Sequence, residues 1–323
     1  MRVSLILFMT NPEDGSSSVD AYVDALRAAQ TEGFIDIWTP QIVRTPDVLT
    51  TLAYALSRVE EVVVGTGVIP IQPRHPMVLA QQALTVSSIS GGRLRLGIGL
   101  THPSTSETVY GIPWQRNVRR LNEYLDGLLP LLAGEEANAT GELMTTRGAI
   151  QMSGVPAPAV YVAALGPQIL KVAARRTAGT LTYMVGPKTL AEHTIPAVRS
   201  AASGRSQPAE VVAGFPMCVT DEPEAVRAFA AEALAVYGTQ PSYRAMLDRE
   251  GVNGPADVAL IGDETAIMAK LEDLSAMGVD EVAVNVLGRN AQDVARTRAL
   301  LRTAAAKLEV DLMTKNATRA AAL

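Results

Sequence analysis

Unbroken apolar runs alternate with helix-periodic stretches along almost the whole chain, and this alternation constrains the fold more than any other feature. The runs are VSLILFM, IDIWTP, VEEVVVGTGVI, LRLGIGL, AVYVAAL, GTLTYMV, EVVAGFPMCVT and EVAVNVLG. Apolar residues at consecutive positions suit a parallel strand covered on both faces. The stretches between the runs carry helical punctuation: VDAYVDALRAAQTEG closes on Gly33, and Pro46 stands at the start of PDVLTTLAYALSRV. Eight strands, each followed by a helix, predict a single α/β domain, a (β/α)8 TIM barrel. A doubly wound open sheet shares the alternation, but the count of eight favours closure. The pattern lapses in ATGELMTTRGAIQMSGVPAPA and again around TQPSYRAMLDREGVNGPADVALIG, which places insertions after strands four and seven. No fixed-period repeat or low-complexity linker interrupts the chain. Residues 1–310 are therefore read as one barrel domain, and 311–323 as a loosely ordered C-terminal tail.

Charge and residue usage narrow the chemistry. The net charge is -5 and the pI near 5.4, so no basic face is expected for nucleic acid. A single cysteine, Cys218, excludes an internal disulfide, and three histidines, His75, His102 and His193, form no paired metal-ligand spacing. No metal site is expected. The opening MRVSLILFMTNPEDG is too short to span a membrane and has no small-residue cleavage pattern. The expectation is a cytoplasmic protein with no membrane partner.

In such a barrel the active site lies at the carboxyl ends of the strands. There the run at 62–76, VVVGTGVIPIQPRHP, dissolves from a strand into glycines and prolines. AALGPQIL offers small residues, Ala163 and Ala164, then Leu165, Gly166 and Pro167 at a helix start, where free amides and the helix dipole favour an anion. An ordinary strand-to-helix turn reads the same way. GIGLTHPST lacks the third glycine of a dinucleotide fingerprint; its glycines leave space over the barrel mouth, and His102 is placed as a general acid or a structural histidine. His75 beside Pro76 reads as a turn cap, and His193 as lying outside the site. There is no GxSxG elbow and no carboxylate pair at the strand ends. Such a mouth suits a protein that holds a cofactor carrying its own chemistry.

Five stretches in order, GTGVIPIQPRHPMVLAQQALTV, SGGRLRLGIGLTH, YVAALGPQIL, YMVGPKTLAEHTIPAVR and GTQPSYRAMLDREGVNGPADVALIGDE, resemble the bacterial luciferase-like oxidoreductases, in the branch that uses the deazaflavin coenzyme F420. The resemblance covers residues 1 to about 290. It implies the barrel fold, an insertion after strand seven over the site, and a non-prolyl cis peptide in a bulge at the end of strand three, by position Gly67–Val68. It further implies that Ala163, Ala164, Leu165, Gly166 and Pro167 surround the coenzyme's phosphate. Thr66 and Ile69 would flank the bulge, His102 and Thr105 would lie near the ring and its side chain, and Val185 and Gly186 would approach the tail. Many members carry an Asp-His pair at the end of strand two. Here the segment is TPQI, so Gln41, also assigned to the coenzyme, and Ile42 supply no proton donor at neutral pH, which favours reduction over alcohol oxidation. His102 is the expected catalytic residue. Trp114, Tyr243 and Arg244, with Arg116, are expected around a small-molecule substrate, and a homodimer fits the family habit. The alternatives are an FMN-dependent monooxygenase on the same barrel, fed by a separate flavin reductase, and a cofactor-binding protein without turnover.

Overall fold

The computed structural model describes residues 1–10 and 17–321 of the 323. Eight parallel strands close on themselves: β1 (Arg2–Ile6), β2 (Asp36–Thr39), β3 (Val63–Thr66), β4 (Leu94–Gly99), β5 (Ala159–Ala163), β6 (Gly179–Tyr183), β7 (Glu210–Val219) and β8 (Glu281–Val286). Each pairs with the next in sequence, and β8 returns to β1 through Arg2 opposite Glu281 and Leu5 opposite Val284. The ring is closed, so the open sheet is excluded. Insertions fall where the alternation lapsed. After β4 come the helix Asn117–Leu132 and an antiparallel hairpin of Ala137–Thr140 with Thr145–Gly148. After β7 come the helices Pro223–Ala233 and Pro241–Glu250 and a short strand, Leu260–Gly262, that pairs with β7.

Helix boundaries follow the local chemistry. Ser18, Asp47 and Asp263 accept backbone N–H groups of Ala21, Thr50 and Ala266 at their helix starts, each such cap contributing about 1 kcal/mol. His75 caps Pro76–Ser90 through Nδ1, which accepts from Met77 N at 3.2 Å; its Nε2 therefore carries the proton and donates to Thr145 O at 2.9 Å. The same helix stops at Gly91, whose φ of 63° is left-handed. The last helix runs from Ala291 to Ala321, through most of the segment read as a tail; residues 322 and 323 lie outside the described residues. No helix of the described residues is long and apolar enough to cross a membrane.

Strand parity sorts the interior into two parts. Leu5, Ile37, Val64, Leu96, Ile98 and Val162 point outward into the main apolar core under the helices. Alternate positions face the barrel axis, where Trp38, Tyr161, Leu181, Val212 and Ala283 pack together. Below them, at the amino ends of the strands, sits a charged plug. Glu281, with no exposed side-chain surface, accepts from Arg2 at 2.9 Å, Arg95 at 2.7 Å and Trp38 Nε1 at 2.6 Å. Arg2 also pairs with Glu210, which accepts the Tyr161 hydroxyl at 2.6 Å, and Arg95 pairs with Asp36 at 3.0 Å. Burial of this many charges is tolerated because each carboxylate meets a guanidinium. The plug fills the amino end of the barrel axis.

Candidate active site

At the carboxyl end, β3 stops at Thr66 and a two-residue strand, Ile69–Pro70, resumes the pairing with β4. Gly67 and Val68 step out of the ladder between them. Gly67 N donates to Thr39 O at 2.8 Å, the Gly67–Val68 peptide is cis, and both residues line the cleft. The glycines of β4 make room for this bulge. A Cβ on Gly97 would overlap the Thr66 carbonyl oxygen, and one on Gly99 would come within 2.9 Å of Val68 and 3.0 Å of Ala163. From below, the Trp38 indole fills the space that a Cβ on Gly65 would need. The strand thus dissolves at 66 because its backbone is turned toward the cleft, with neighbours reduced to glycine to permit it.

The cleft has two connected lobes that share Gly67, Val68, Leu100, His102, Ala163 and Tyr243. One, of about 360 Å³, runs along the ends of β4, β5 and β6 to Ala164, Leu165 and Gly166 and is closed by Trp114. The other, of about 380 Å³, opens over β1 to β3 past Trp38, Gln41 and Ile42, under Tyr237. Gly166 caps the helix Pro167–Arg176 without any side-chain hydrogen bond, and a Cβ there would meet nothing within 4 Å. The first amides of that helix are consequently open to an anion. His193, read from sequence as lying outside the site, reaches the loop from behind, its Nε2 3.2 Å from Leu165 O.

The helix start after β6 is already filled. Glu250, the last residue of the inserted helix Pro241–Glu250, accepts from Lys188 N at 3.1 Å and Thr189 N at 2.7 Å. A Cβ on the intervening Gly186 would overlap that carboxylate side chain. The chain's own anion occupies the second helix start and ties the insertion to the barrel, leaving the first one free.

Aromatic rings roof the cleft. His102 lies 5.8 Å from Tyr243, Tyr243 5.3 Å from Tyr237, and Tyr237 5.6 Å from Tyr183, whose hydroxyl accepts from Asn285 at 3.1 Å. Burial pushes the phenols of Tyr183, Tyr237 and Tyr243 above their usual 10.0, so they stay neutral. Burial also lowers His102 from its usual 6.5, which keeps its imidazole uncharged at neutral pH.

The residues singled out from sequence divide by placement. His102, Gln41, Gly67, Val68, Thr105, Ala163, Ala164, Leu165, Gly166, Trp114 and Tyr243 all line the cleft, with Pro167 directly behind Gly166. Thr66 and Ile69 flank the bulge from inside the wall: the Thr66 hydroxyl bonds both Gly97 O and Gly97 N, and Ile69 is fully buried in the core. Val185 is buried and Gly186 faces Glu250, so neither borders the cleft. Arg244 turns away from it. Its guanidinium is committed to Asp248, Val252 O and Asn253 O, holding the turn after its own helix. Arg116 likewise pairs with Glu142. Sequence reasoning passed over Trp38, Tyr183 and Tyr237. For the first two the signal was parity, since they stand on the inward positions of β2 and β6.

A closed eight-stranded barrel with a cleft at its carboxyl mouth that no charged side chain of the described residues lines, an open helix start and a bulged third strand defines the class. The chain belongs to the family described as luciferase-like monooxygenase, whose family model matches residues 1–306. A 5,10-methylenetetrahydromethanopterin reductase from Methanolobus tindarius is 26% identical over 241 residues, 74% of this chain and 73% of that protein. An F420-dependent glucose-6-phosphate dehydrogenase from Beutenbergia cavernae is 31% identical over 194 residues, 58% of this chain and 57% of that one. Among solved structures, an F420-dependent secondary alcohol dehydrogenase in complex with an F420-acetone adduct superposes with a TM-score of 0.76 at 16% identity, covering 94% of this chain and 98% of the other.

Proposed function

We propose that this chain is an F420-dependent oxidoreductase moving a hydride between the deazaflavin and a C=C, C=N or C=O bond of a small organic molecule, working as a reductase. The observation that carries the reading is the open helix start at Gly166, set in the same cleft as the Gly67–Val68 bulge. The relatives' dependence on F420 supports it. The residues present fit the coenzyme: a cradle of Ala163, Ala164 and Gly166 leaves the backbone approachable, and the unfilled amides of the following helix suit its phosphate. When bound, the deazaflavin supplies or accepts the hydride.

The chain's own groups bind, orient and exclude. Gly67 and Val68 offer a narrow ledge, and Tyr237 and Tyr243 keep water from the cleft. A neutral His102 holds a ring N–H at the junction of the two lobes, from which it hydrogen-bonds and polarises the substrate's acceptor atom, the proton that follows the hydride coming from water. Gln41 spends its amide on Val48 N at 2.8 Å and Ile42 O at 3.0 Å, so no base stands at the end of β2. That arrangement supports reduction rather than alcohol oxidation.

Parallel fluorescence titrations with F420 and FMN test the assignment. Tight binding of F420, weak binding of FMN, and substrate-dependent coenzyme oxidation without oxygen uptake are expected. A preference for FMN with oxygen consumption would place the chain among the monooxygenases for which its family is described. Binding with no turnover on any unsaturated substrate would make it a coenzyme-binding protein.

A further inference from the structure

We infer that the substrate lobe takes an uncharged, largely apolar molecule carrying a single polar group, and excludes phosphorylated or carboxylated compounds. This rests on the reading of the other lobe as the coenzyme's. Among the described residues, no Asp, Glu, Lys or Arg lines either lobe. The substrate lobe is floored by Ile6 and Trp38 and walled by Phe8, Pro40 and Pro70. Its mouth is apolar where a surface is ordinarily polar: Ile42 and Val43 are 38% exposed and Val236 is 60% exposed, and all three border the opening. Exposed apolar residues gathered at the rim of a cavity mark a binding surface rather than chance.

The nearby cations lie outside the lobe: Arg44, beside Val43, is exposed at the surface and lines neither lobe, and others are held by carboxylates. Arg74 pairs with Asp47, Arg289 with Glu222 at 2.8 Å, and Arg244 with Asp248 at 2.8 Å. A carboxylate or phosphate entering this lobe would lose its water and meet no compensating charge. Gln41, at the end of β2, spends its amide on Val48 N and Ile42 O; the other polar groups, among them His102 and Thr105 after β4, Tyr183 on β6, and Tyr237 and Gln240 on the insertion, stand away from β1 and β2. One carbonyl or imine directed there is satisfied, and the rest of the molecule lies against hydrocarbon and indole. A neutral cyclic or branched ketone, enone or imine fits this description. A sugar phosphate does not.

Two probes of equal shape decide it: 3-methylcyclohex-2-en-1-one, and the same ring with carboxylate in place of the methyl group, 3-oxocyclohex-1-ene-1-carboxylate. Each is titrated by calorimetry into the protein with and without F420. The neutral probe is expected to bind at least about tenfold more tightly than the carboxylate, a factor equal to one step of about 1.4 kcal/mol. Equal or tighter binding of the carboxylate, or no binding of the neutral probe at millimolar concentration, would overturn the inference. Failure of F420 itself to bind would instead strike at the coenzyme reading, while the titrations on the unloaded protein would still report the lobe's preference. Val236→Lys, or Val43→Lys, both at exposed positions on the rim, is expected to raise carboxylate affinity about tenfold and narrow the discrimination accordingly. Unchanged discrimination in both variants would show that lining charge does not set the preference, and would overturn the inference as well.

Discussion

His102 illustrates what one residue's surroundings add to its identity. From sequence it was a histidine at a strand end; in the fold it stands between the two lobes, facing Tyr243, with its basicity lowered by burial. An imidazole that stays neutral to below pH 6.5 predicts that kcat/KM falls only on the acid side of that value, as the ring takes its proton. His102→Gln is expected to remove this acid limb and to lower kcat by about 10²–10⁴, with F420 affinity changed far less. A pH profile that keeps its acid limb in the variant would remove His102 from the chemistry. Other side chains were misjudged because sequence places a residue on a strand end without fixing its partners. Arg244 was expected at the substrate, yet three oxygens of its own insertion hold it. His193, read from sequence as outside the site, lines neither lobe, but it braces the Leu165 carbonyl from behind, a contact sequence does not show.

At the scale of elements, the third and fourth strands act as one device. The bulge of β3 exists only because β4 carries Gly97 and Gly99 opposite it. Gly97→Ala would press a methyl group into the Thr66 carbonyl, and overpacking of this kind costs about 1–3 kcal/mol. Equilibrium unfolding should register that loss, and F420 titration a weakened affinity, because relief requires the bulge to move. Wild-type affinity in a destabilised variant would show that the bulge does not shape the coenzyme lobe. The pattern GxG was legible in sequence as space at the barrel mouth. Its partner in space was not, because register between strands is a tertiary fact. The eight strands and both insertions were readable from their apolar runs and breaker residues, since buried parallel strands allow little else.

Taken whole, the barrel carries a cluster of charges at one end and, among the described residues, a cleft lined by none at the other. Burial alone would raise the carboxyl of Glu281, but Arg95 and Arg2 more than offset it and hold it below its usual 4.5. Glu210 is lowered in the same way: burial opposes, and its hydrogen bonds with Arg2 and Tyr161 prevail. A depressed folded value means stability that is fully present above the ordinary carboxylate range and is lost as pH falls through the folded value. Asp36, raised by burial against the pull of Arg95, opposes this. Denaturant melts should therefore weaken below pH 4.5. Glu281→Gln takes one of two carboxylate partners from the buried Arg95 and from the half-buried Arg2, so it should cost about 3 kcal/mol at pH 7 and make the acid loss shallower. An equally steep acid loss in the variant would place the titrating groups elsewhere. None of this plug was foreseen, because its members are scattered from residue 2 to residue 281 and meet only once the ring closes.

The chain has two tryptophans, and the fold sets one in each lobe: Trp114 closes the one beside the open helix start, and Trp38 floors the other. The molecule therefore carries its own pair of optical labels. In Trp114→Phe the remaining emission belongs to an indole held by Glu281 at the base of the substrate lobe. In Trp38→Phe it belongs to the coenzyme lobe. Filling of each compartment can then be followed separately, in order and in time, without attaching a dye.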